Sequence, residues 1–144
     1  MADLTPQDVR DFLRDSKDNN HLLDDIENPD AIIRLSMDLA ISDFNSMPPK
    51  TSFNLVGFEY KAVLLYGTCW QLFLSLMALA ARNTMSYSDG GLDIPIEERF
   101  PYYAQMAQIY QQMYQSAAKP IKIQLNLESG WESVRSDYST FPAW

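Results

Sequence analysis

The chain has 144 residues and a formal net charge of -8, because 11 Lys and Arg stand against 19 Asp and Glu. Hydrophobic residues make up 47% and charged residues 21%, which is ordinary for one folded domain and argues against intrinsic disorder. The acidity is concentrated in residues 1–47, which hold 11 acids and four bases. This excess argues against a reader of duplex DNA, because such proteins bind phosphates through Lys and Arg.

The first predicted helix begins after Thr5. Thr is a favoured N-cap, Pro6 suits the first helical position, and Asp8 lies near the positive end of the helix dipole. The polar residues 16–20 predict a loop after this helix. The loop lacks the ligand spacing of an EF-hand, so we do not interpret it as a calcium site.

A second helix is predicted from Asn28-Pro29-Asp30, which repeats the order of cap, proline and acid. It should end near Asn45, before Pro48 and Pro49. His21 is the only histidine, and we interpret it as a capping or surface residue. The residues of the second helix predicted to be buried are Ile32, Ile33, Met37, Ala40, Ile41 and Phe44.

Residues 62–81 form an uncharged run of twenty between Lys61 and Arg82. As a helix this run is about 30 Å long, which is the thickness of a bilayer core, so it has two interpretations. A membrane-spanning helix would place Gln71 near the lipid centre, and the two flanking cations would set no orientation. We favour burial by protein, which makes this run the central helix of a bundle.

This helix is predicted to begin within residues 55–59 and to end at Asn83. Cys69 is the only cysteine and lies midway along the helix, so an internal disulfide is impossible. We interpret it as a small buried hydrophobic residue. The N-terminal residues have neither the basic nor the apolar region of a secretory signal, which predicts synthesis in a reducing cytosol.

Residues 84–91 predict a loop, in which Asp89-Gly90-Gly91 favours a sharp reversal. An anion nest or a cation site at Ser88 and Asp89 is the functional alternative, but the sequence supplies no neighbouring Lys or second acid cluster for it. A helix is predicted from Tyr102, with Tyr and Met on its buried face. Its opposite face is compatible with contact to another subunit and carries Gln105, Gln108, Gln111, Gln112 and Gln115.

The C-terminal residues predict a strand and an arm. Lys119-Pro120 is expected to stop the helix, and the apolar and polar residues of 121–128 then alternate, as in a half-buried strand. The chain contains no obvious partner strand, so pairing with a neighbouring subunit or with an irregular segment is expected. Aromatic residues of the tail would anchor in pockets of another subunit. The candidate subunit-contact residues are Ile121, Ile123, Leu125, Leu127, Trp131, Tyr138, Phe141 and Trp144.

The sequence offers few groups for acid–base catalysis. Glu97 and Glu98 are adjacent on a predicted helix, so their side chains point in different directions and are better interpreted as partners of the helix dipole. We therefore predict that the chain is not an enzyme and has no catalytic residues, cofactor or metal site.

These elements together predict a mainly α fold. It is a helical bundle around one long apolar central helix, with a C-terminal β-strand and an extended arm. We assign residues 1–118 to a helical domain and residues 119–144 to the C-terminal strand and aromatic arm.

The order of these elements resembles that of the small helical neck and connector proteins at the head-tail junction of tailed bacteriophages. The likeness is carried by the acidic N-terminal helices, the long helix ending at Ala80-Ala81-Arg82-Asn83, the loop at 87–91, the Tyr-rich helix from Tyr102, and the terminal strand and arm. It implies a ring-forming structural protein of the virion, assembled in the host cytoplasm and held together by exchanged C-terminal arms.

The resemblance also implies partners. These are other copies of the chain and other virion proteins of the portal, tail or neck, with DNA only passing through an acidic lumen and no membrane. The acidic residues 1–47 could supply that lumen. The alternative function is a small soluble helical adaptor or regulatory protein, acting as a monomer or dimer, in which the strand and tail fold back on the body.

Overall fold

The computed structural model describes residues 3–20, 25–85 and 99–139. The structure in these ranges is mainly helical, which confirms the prediction of a helical bundle. The third helix is central, because it packs against the second and the fourth, while the first packs on the second and third. The helices are α1 (Pro6–Leu13), α2 (Asp30–Ser46), α3 (Lys61–Met85) and α4 (Arg99–Ser139).

Helix α1 begins as the sequence predicts. The hydroxyl of Thr5 accepts a hydrogen bond from the backbone N–H of Asp8 at 3.2 Å, and the Asp8 carboxylate accepts one from the backbone N–H of Thr5 at 2.8 Å. This reciprocal pair is a capping box. The hydrogen bonds from Thr5 lower the pKa of Asp8, because they favour its charged form.

Helix α2 begins one residue later than the cap–proline–acid order implies, with Pro29 as its N-cap and no side-chain cap. The reason is that the side chain of Asn28 donates a hydrogen bond to Asp15, in the loop after α1, and does not cap α2. Arg10 of α1 donates from Nε to the carbonyl oxygen of Asn28 at 3.1 Å and also pairs with Asp30. These contacts tie the start of α2 to α1.

The buried carboxylate of Asp15 organises the loop between α1 and α2. It accepts hydrogen bonds from the backbone N–H groups of Glu27 at 2.7 Å and Asn28 at 2.8 Å, and from the side-chain amides of Asn20 and Asn28. Burial opposes ionisation of Asp15, but the hydrogen bonds from Glu27, Asn20 and Asn28 together hold its pKa below the ordinary value.

Replacing Asp15 with asparagine is expected to lower the free energy of unfolding by about 1–3 kcal/mol at pH 7, because an amide cannot accept from every one of these donors. Since the folded-state pKa lies below the ordinary 3.8, the carboxylate contributes stability above that pH and loses it as the pH falls through the folded-state value. The difference between wild type and Asp15→Asn should therefore shrink in acid. Urea unfolding at pH 7 and pH 3 measures both, with the exposed Asp18→Asn as the control; equal losses in the two variants would contradict the prediction.

The three long helices meet at Gly67. A Cβ placed on this glycine would lie 2.9 Å from the Cβ of Ala40 in α2 and 3.0 Å from the ring of Tyr114 in α4. The absent side chain therefore allows three backbones to approach at one point. Next to it, the Trp70 ring stacks on Tyr114 with centroids 5.6 Å apart. Burial raises the pKa of Tyr114, and Asp43 beside its hydroxyl adds to the effect.

Helix α3 starts at Lys61, later than predicted, because the preceding connector packs as a cluster of rings. The rings of Phe53, Phe58 and Tyr60 all lie 5.4–6.0 Å from the ring of Phe44 at the end of α2. Gly57 in this connector has a φ of +79°, which a helix would not permit. These contacts hold the connector against the core, so α3 does not begin before Lys61.

Helix α3 is long and apolar enough to cross a membrane, with a mean hydropathy of 1.7 over Lys61–Arg82. Core helices of soluble bundles share these properties. In this structure α3 packs on the three other described helices, most closely on α2 and α4, and 33% of its apolar segment is buried. Cys69 is fully buried in α3, and burial raises the pKa of its thiol to about 12.

The predicted strand is wrong. Residues 121–128 belong to α4, which continues without a break through Lys119 and Pro120 to Ser139. Pro120 is exposed, so water can bind the backbone carbonyl that proline leaves without an intrahelical donor. The arm is likewise helical as far as Ser139. The division at residues 118 and 119 into two domains stays a prediction, although α4 runs across it.

Several predicted features lie outside the described residues. These are His21, the loop residues Ser88 to Gly91, Glu97 and Glu98, and the last two aromatic residues, Phe141 and Trp144.

Candidate subunit-contact surface

Helix α4 continues past the last of its described side chains that are buried or half-buried. Helix α4 has 41 residues, which corresponds to about 60 Å, whereas α3 has 25. The last described side chains of α4 that are buried or half-buried are Ile121, Lys122 and Leu125, and every residue from Asn126 to Gly130 is exposed. We call residues 123–139 the α4 end.

The α4 helix divides the four alternating apolar residues between two sides. Ile121 and Leu125 are half-buried, and Ile121 packs against the core. Ile123 and Leu127 face outward, with exposed fractions of 61% and 56%. Residues four apart share a helix face, so each pair forms its own stripe. Two of the predicted contact residues therefore belong to the body, and two lie on an open surface.

The apolar spacing continues in the sequence after Leu127. After Ile123 and Leu127, the sequence has Trp131, Val134 and Tyr138, at intervals of four, three and four residues. The backbone is helical through all of these positions. In the sequence, apolar residues therefore recur at helical spacing along the backbone of the α4 end.

Lys122 fixes the base of the α4 end to the connector after α2. Its side chain is buried, and Nζ donates hydrogen bonds to the carbonyl oxygen of Pro49 at 3.0 Å and to the hydroxyl of Thr51 at 2.8 Å. The same ammonium lies 4.2 Å from the centroid of the Phe44 ring, which is a cation–π contact. Burial lowers the pKa of Lys122. Asn45 supports this connector by bonding both backbone groups of Phe53.

Replacing Lys122 with methionine should lower the free energy of unfolding by about 1–3 kcal/mol, because two charge-assisted hydrogen bonds are lost while the apolar stem is kept. Lys119→Met is the matched control, since Lys119 is exposed on the same helix and its loss should change stability by less than about 0.5 kcal/mol. Urea unfolding followed by circular dichroism measures both variants. Equal effects would show that Lys122 does not act as an anchor.

A shallow, mainly apolar groove lies beside this anchor. Its volume is about 300 Å³, at the lower end of the range of small-molecule sites. The groove places the exposed Ile123 next to the two prolines of the connector. Its walls are Met47, Pro48, Pro49, Lys119, Lys122, Ile123 and Asn126.

The outer face of α4 carries no carboxylate along most of its length. Residues 99–127 contain Arg99, Lys119 and Lys122 and no Asp or Glu. Of the glutamines predicted to line this face, Gln105, Gln108 and Gln112 are exposed, whereas Gln111 and Gln115 are half-buried. Tyr102 and Ile109 on the same helix are also exposed. A second copy with the same negative net charge could approach this face without repulsion between acids.

Helix α2 carries a second exposed apolar stripe, which the sequence reading missed. Ile32, Leu35 and Leu39 are 38%, 56% and 45% exposed, although Ile32 was assigned to the buried face. Their spacing of three and four is the signal that could have shown them as one helix face. We call these three residues the α2 stripe. The other predicted core positions of α2 are buried, from Ile33 to Phe44.

The described residues contain no group of three or more His, Cys, Asp or Glu side chains that could hold a metal ion. Comparisons of the chain with protein-family models, with curated proteins and with solved structures found no match.

Proposed function

We propose that this chain is a structural subunit of a multi-copy virion assembly, and specifically a ring-forming head-tail connector or neck protein of a tailed bacteriophage. One observation carries the proposal: α4 continues past Leu125, the last of its described side chains that is half-buried, with Ile123 and Leu127 in solvent. Burying such a side chain gains roughly 1.5–3 kcal/mol, so this stripe favours contact with another protein surface.

The anchoring of the α4 end supports a role in assembly. Lys122 holds its base through the carbonyl of Pro49 and the hydroxyl of Thr51, so the direction of the helix is set by the folded body. A helix presented in a fixed direction loses less conformational entropy on binding than a free tail. The α4 end replaces the exchanged strand as the proposed contact between subunits.

The charge distribution supports a ring around DNA. Residues 1–47 carry -7, from four bases and 11 acids, whereas α4 from Arg99 to Leu127 has only cations. Acidic surfaces repel phosphates, so a lumen formed by the N-terminal third would let DNA pass without binding it. In this proposal the chain acts in the virion after assembly in the host cytoplasm. Its partners are further copies and portal, tail or other neck proteins, with no membrane, cofactor or catalysis.

Negative-stain electron microscopy of the purified chain tests this function. Closed rings with a central opening are expected, because a repeated contact between identical subunits closes when its rotation divides a full turn. A chain that stays as single compact particles at high micromolar concentration would overturn the proposal and favour the monomeric adaptor. Membrane association of the chain, measured by flotation with lipid vesicles, would also overturn it.

A further inference from the structure

We infer that the groove beside Lys122 binds the C-terminal segment of a neighbouring copy of this chain. This inference rests on the proposed function, because it names the two surfaces through which one subunit joins the next. We call residues 137–144 the C-terminal segment. Its first three residues belong to α4, and the other five lie outside the described residues.

The groove is the place where the lysines of this acidic chain gather. Lys119 and Lys122 line the groove, and Lys50 directly follows Pro49 of its wall, so three of the five lysines in the chain lie there. Lys50 and Lys119 are exposed. None of the described residues that line the groove is an Asp or a Glu. A mainly apolar groove beside two exposed lysines suits an apolar ligand that also carries negative charge.

The C-terminal residues have the complementary composition. Residues 128–144 hold three acids and one base, which gives a net charge of -2. In the C-terminal segment Asp137 is the only charged side chain, and aromatic residues follow it at positions 138, 141 and 144. An aromatic ring can fill an apolar groove and also attract a lysine over its face, as the ring of Phe44 attracts Lys122 within this chain.

The length of α4 shows that this contact is made between chains. The groove extends along α4 from Lys119 to Asn126, and the helix continues to Ser139. Asp137 therefore lies about 27 Å along the helix from Lys119 of its own chain, which is too far for an ion pair. The residues after Ser139 span at most about 18 Å when fully extended, whereas Lys122 lies about 25 Å back along the helix. The segment that fills the groove must come from another copy.

Such a contact joins two different surfaces of the chain. Each copy places its C-terminal segment on one neighbour and receives the segment of another neighbour in its groove. A heterologous contact of this kind closes into a ring when its rotation divides a full turn, which is the arrangement that the proposed function requires. Because exposed charges meet at the edge of the groove, assembly should weaken as the salt concentration rises.

A complementation experiment with full-length chains tests the pairing. The groove variant is Lys119→Glu/Ile123→Gln, and the segment variant is Phe141→Ser/Trp144→Ser. The groove variant changes two exposed residues of α4, so it should keep the helical circular dichroism and unfolding midpoint of the wild type, as should the segment variant. Each variant alone should have the single-chain mass of 16.5 kDa by light scattering. An equimolar mixture should have twice that mass and no more, because only one intact groove meets one intact segment.

An exchange of charges tests the placement of the segment in the groove. Lys119→Glu and Asp137→Lys should each weaken assembly roughly fivefold, because each brings like charges together where opposite charges met. The two substitutions in one chain should restore most of the wild-type affinity, because the ion pair forms again with its signs exchanged. A double variant that assembles no better than either single variant would contradict this placement.

Matched controls make similar changes elsewhere. Arg34→Glu/Leu35→Gln reverses an exposed cation and removes an exposed apolar residue on α2, and Thr140→Ser/Ala143→Ser changes the segment without removing a ring; both should assemble as the wild type does. A groove or segment variant that assembles like the wild type, or a mixture that stays at 16.5 kDa, would overturn the pairing while the assembly of the wild type stands. A wild type that stays at the single-chain mass would instead overturn the proposed function itself.

Discussion

Replacing Gly67 with alanine should lower the free energy of unfolding by about 1–3 kcal/mol, although alanine is favoured over glycine in a helix by about 1 kcal/mol. The added methyl group would lie 2.9 Å from the Cβ of Ala40 and 3.0 Å from the Tyr114 ring, distances at which α2 or α4 must shift. Neither neighbour is the free end of a flexible side chain. Gly67→Leu should leave little folded bundle, because its larger side chain has no space between three helices.

Gly130→Ala is the matched control for this substitution. Gly130 also lies in a helix, but an added Cβ there would have no atom within 4 Å. It should be neutral or stabilise the chain by up to about 1 kcal/mol through helix propensity. Urea unfolding of the two variants separates crowding from propensity, and a stabilising Gly67→Ala would contradict close approach at this point. Ala40→Gly combined with Gly67→Ala should recover part of the loss, since it removes the nearest atom.

Replacing Phe44 with alanine should cost about 3–5 kcal/mol of unfolding free energy. Its side chain is fully buried, and it contacts the rings of Phe53, Phe58 and Tyr60 as well as the ammonium of Lys122. Truncation leaves a cavity and removes the apolar support of the connector, so the anchor of the α4 end should loosen as well.

Val56→Ala provides the comparison for Phe44→Ala, because Val56 lies in the same connector and is 82% exposed. It should change stability by less than about 0.5 kcal/mol. Thermal unfolding by calorimetry measures both variants. A loss below 1 kcal/mol for Phe44→Ala would show that the ring cluster is not part of the cooperative core.

Local sequence signals predict helices α1 and α2. The capping box of Thr5 and Asp8 and the apolar spacing of α2 depend on residues three or four apart, so they can be read without knowing the fold. The start of α3 at Lys61 could not be predicted from such local signals. Leu55 and Glu59 are good helix formers, but Gly57 adopts a positive φ, and Phe58 and Tyr60 pack on Phe44.

The C-terminal error has a physical explanation. Alternation in Ile121 to Glu128 is the pattern of a half-buried strand, but in a helix the same residues form two stripes on different sides. One stripe packs on the body through Ile121, and the other stays outward at Ile123. Helix continuity from the strongly helical segment before Pro120 outweighs the preference of β-branched residues for strands.

The anchor at Lys122 and the α2 stripe could not be predicted from the sequence. The contact between Lys122 and Pro49 spans 73 residues, and no local pattern reports it. The α2 stripe was hidden because Ile32, Leu35 and Leu39 look like core residues until burial on α3 selects the other face of α2. Whether an apolar residue belongs to the core or to a contact surface depends on its exposure. That exposure is set by the folded bundle and not by the local sequence.

The mass of the purified chain over a range of concentrations, measured by light scattering, tests most directly whether this chain is a subunit that joins copies through the α4 end. We expect a mass several times 16.5 kDa for the wild type and for the control Ser129→Gln, and the single-chain mass for Ile123→Gln/Leu127→Gln. A wild type that remains at 16.5 kDa at every concentration, or an Ile123→Gln/Leu127→Gln variant that assembles like the wild type, would contradict this role of the α4 end.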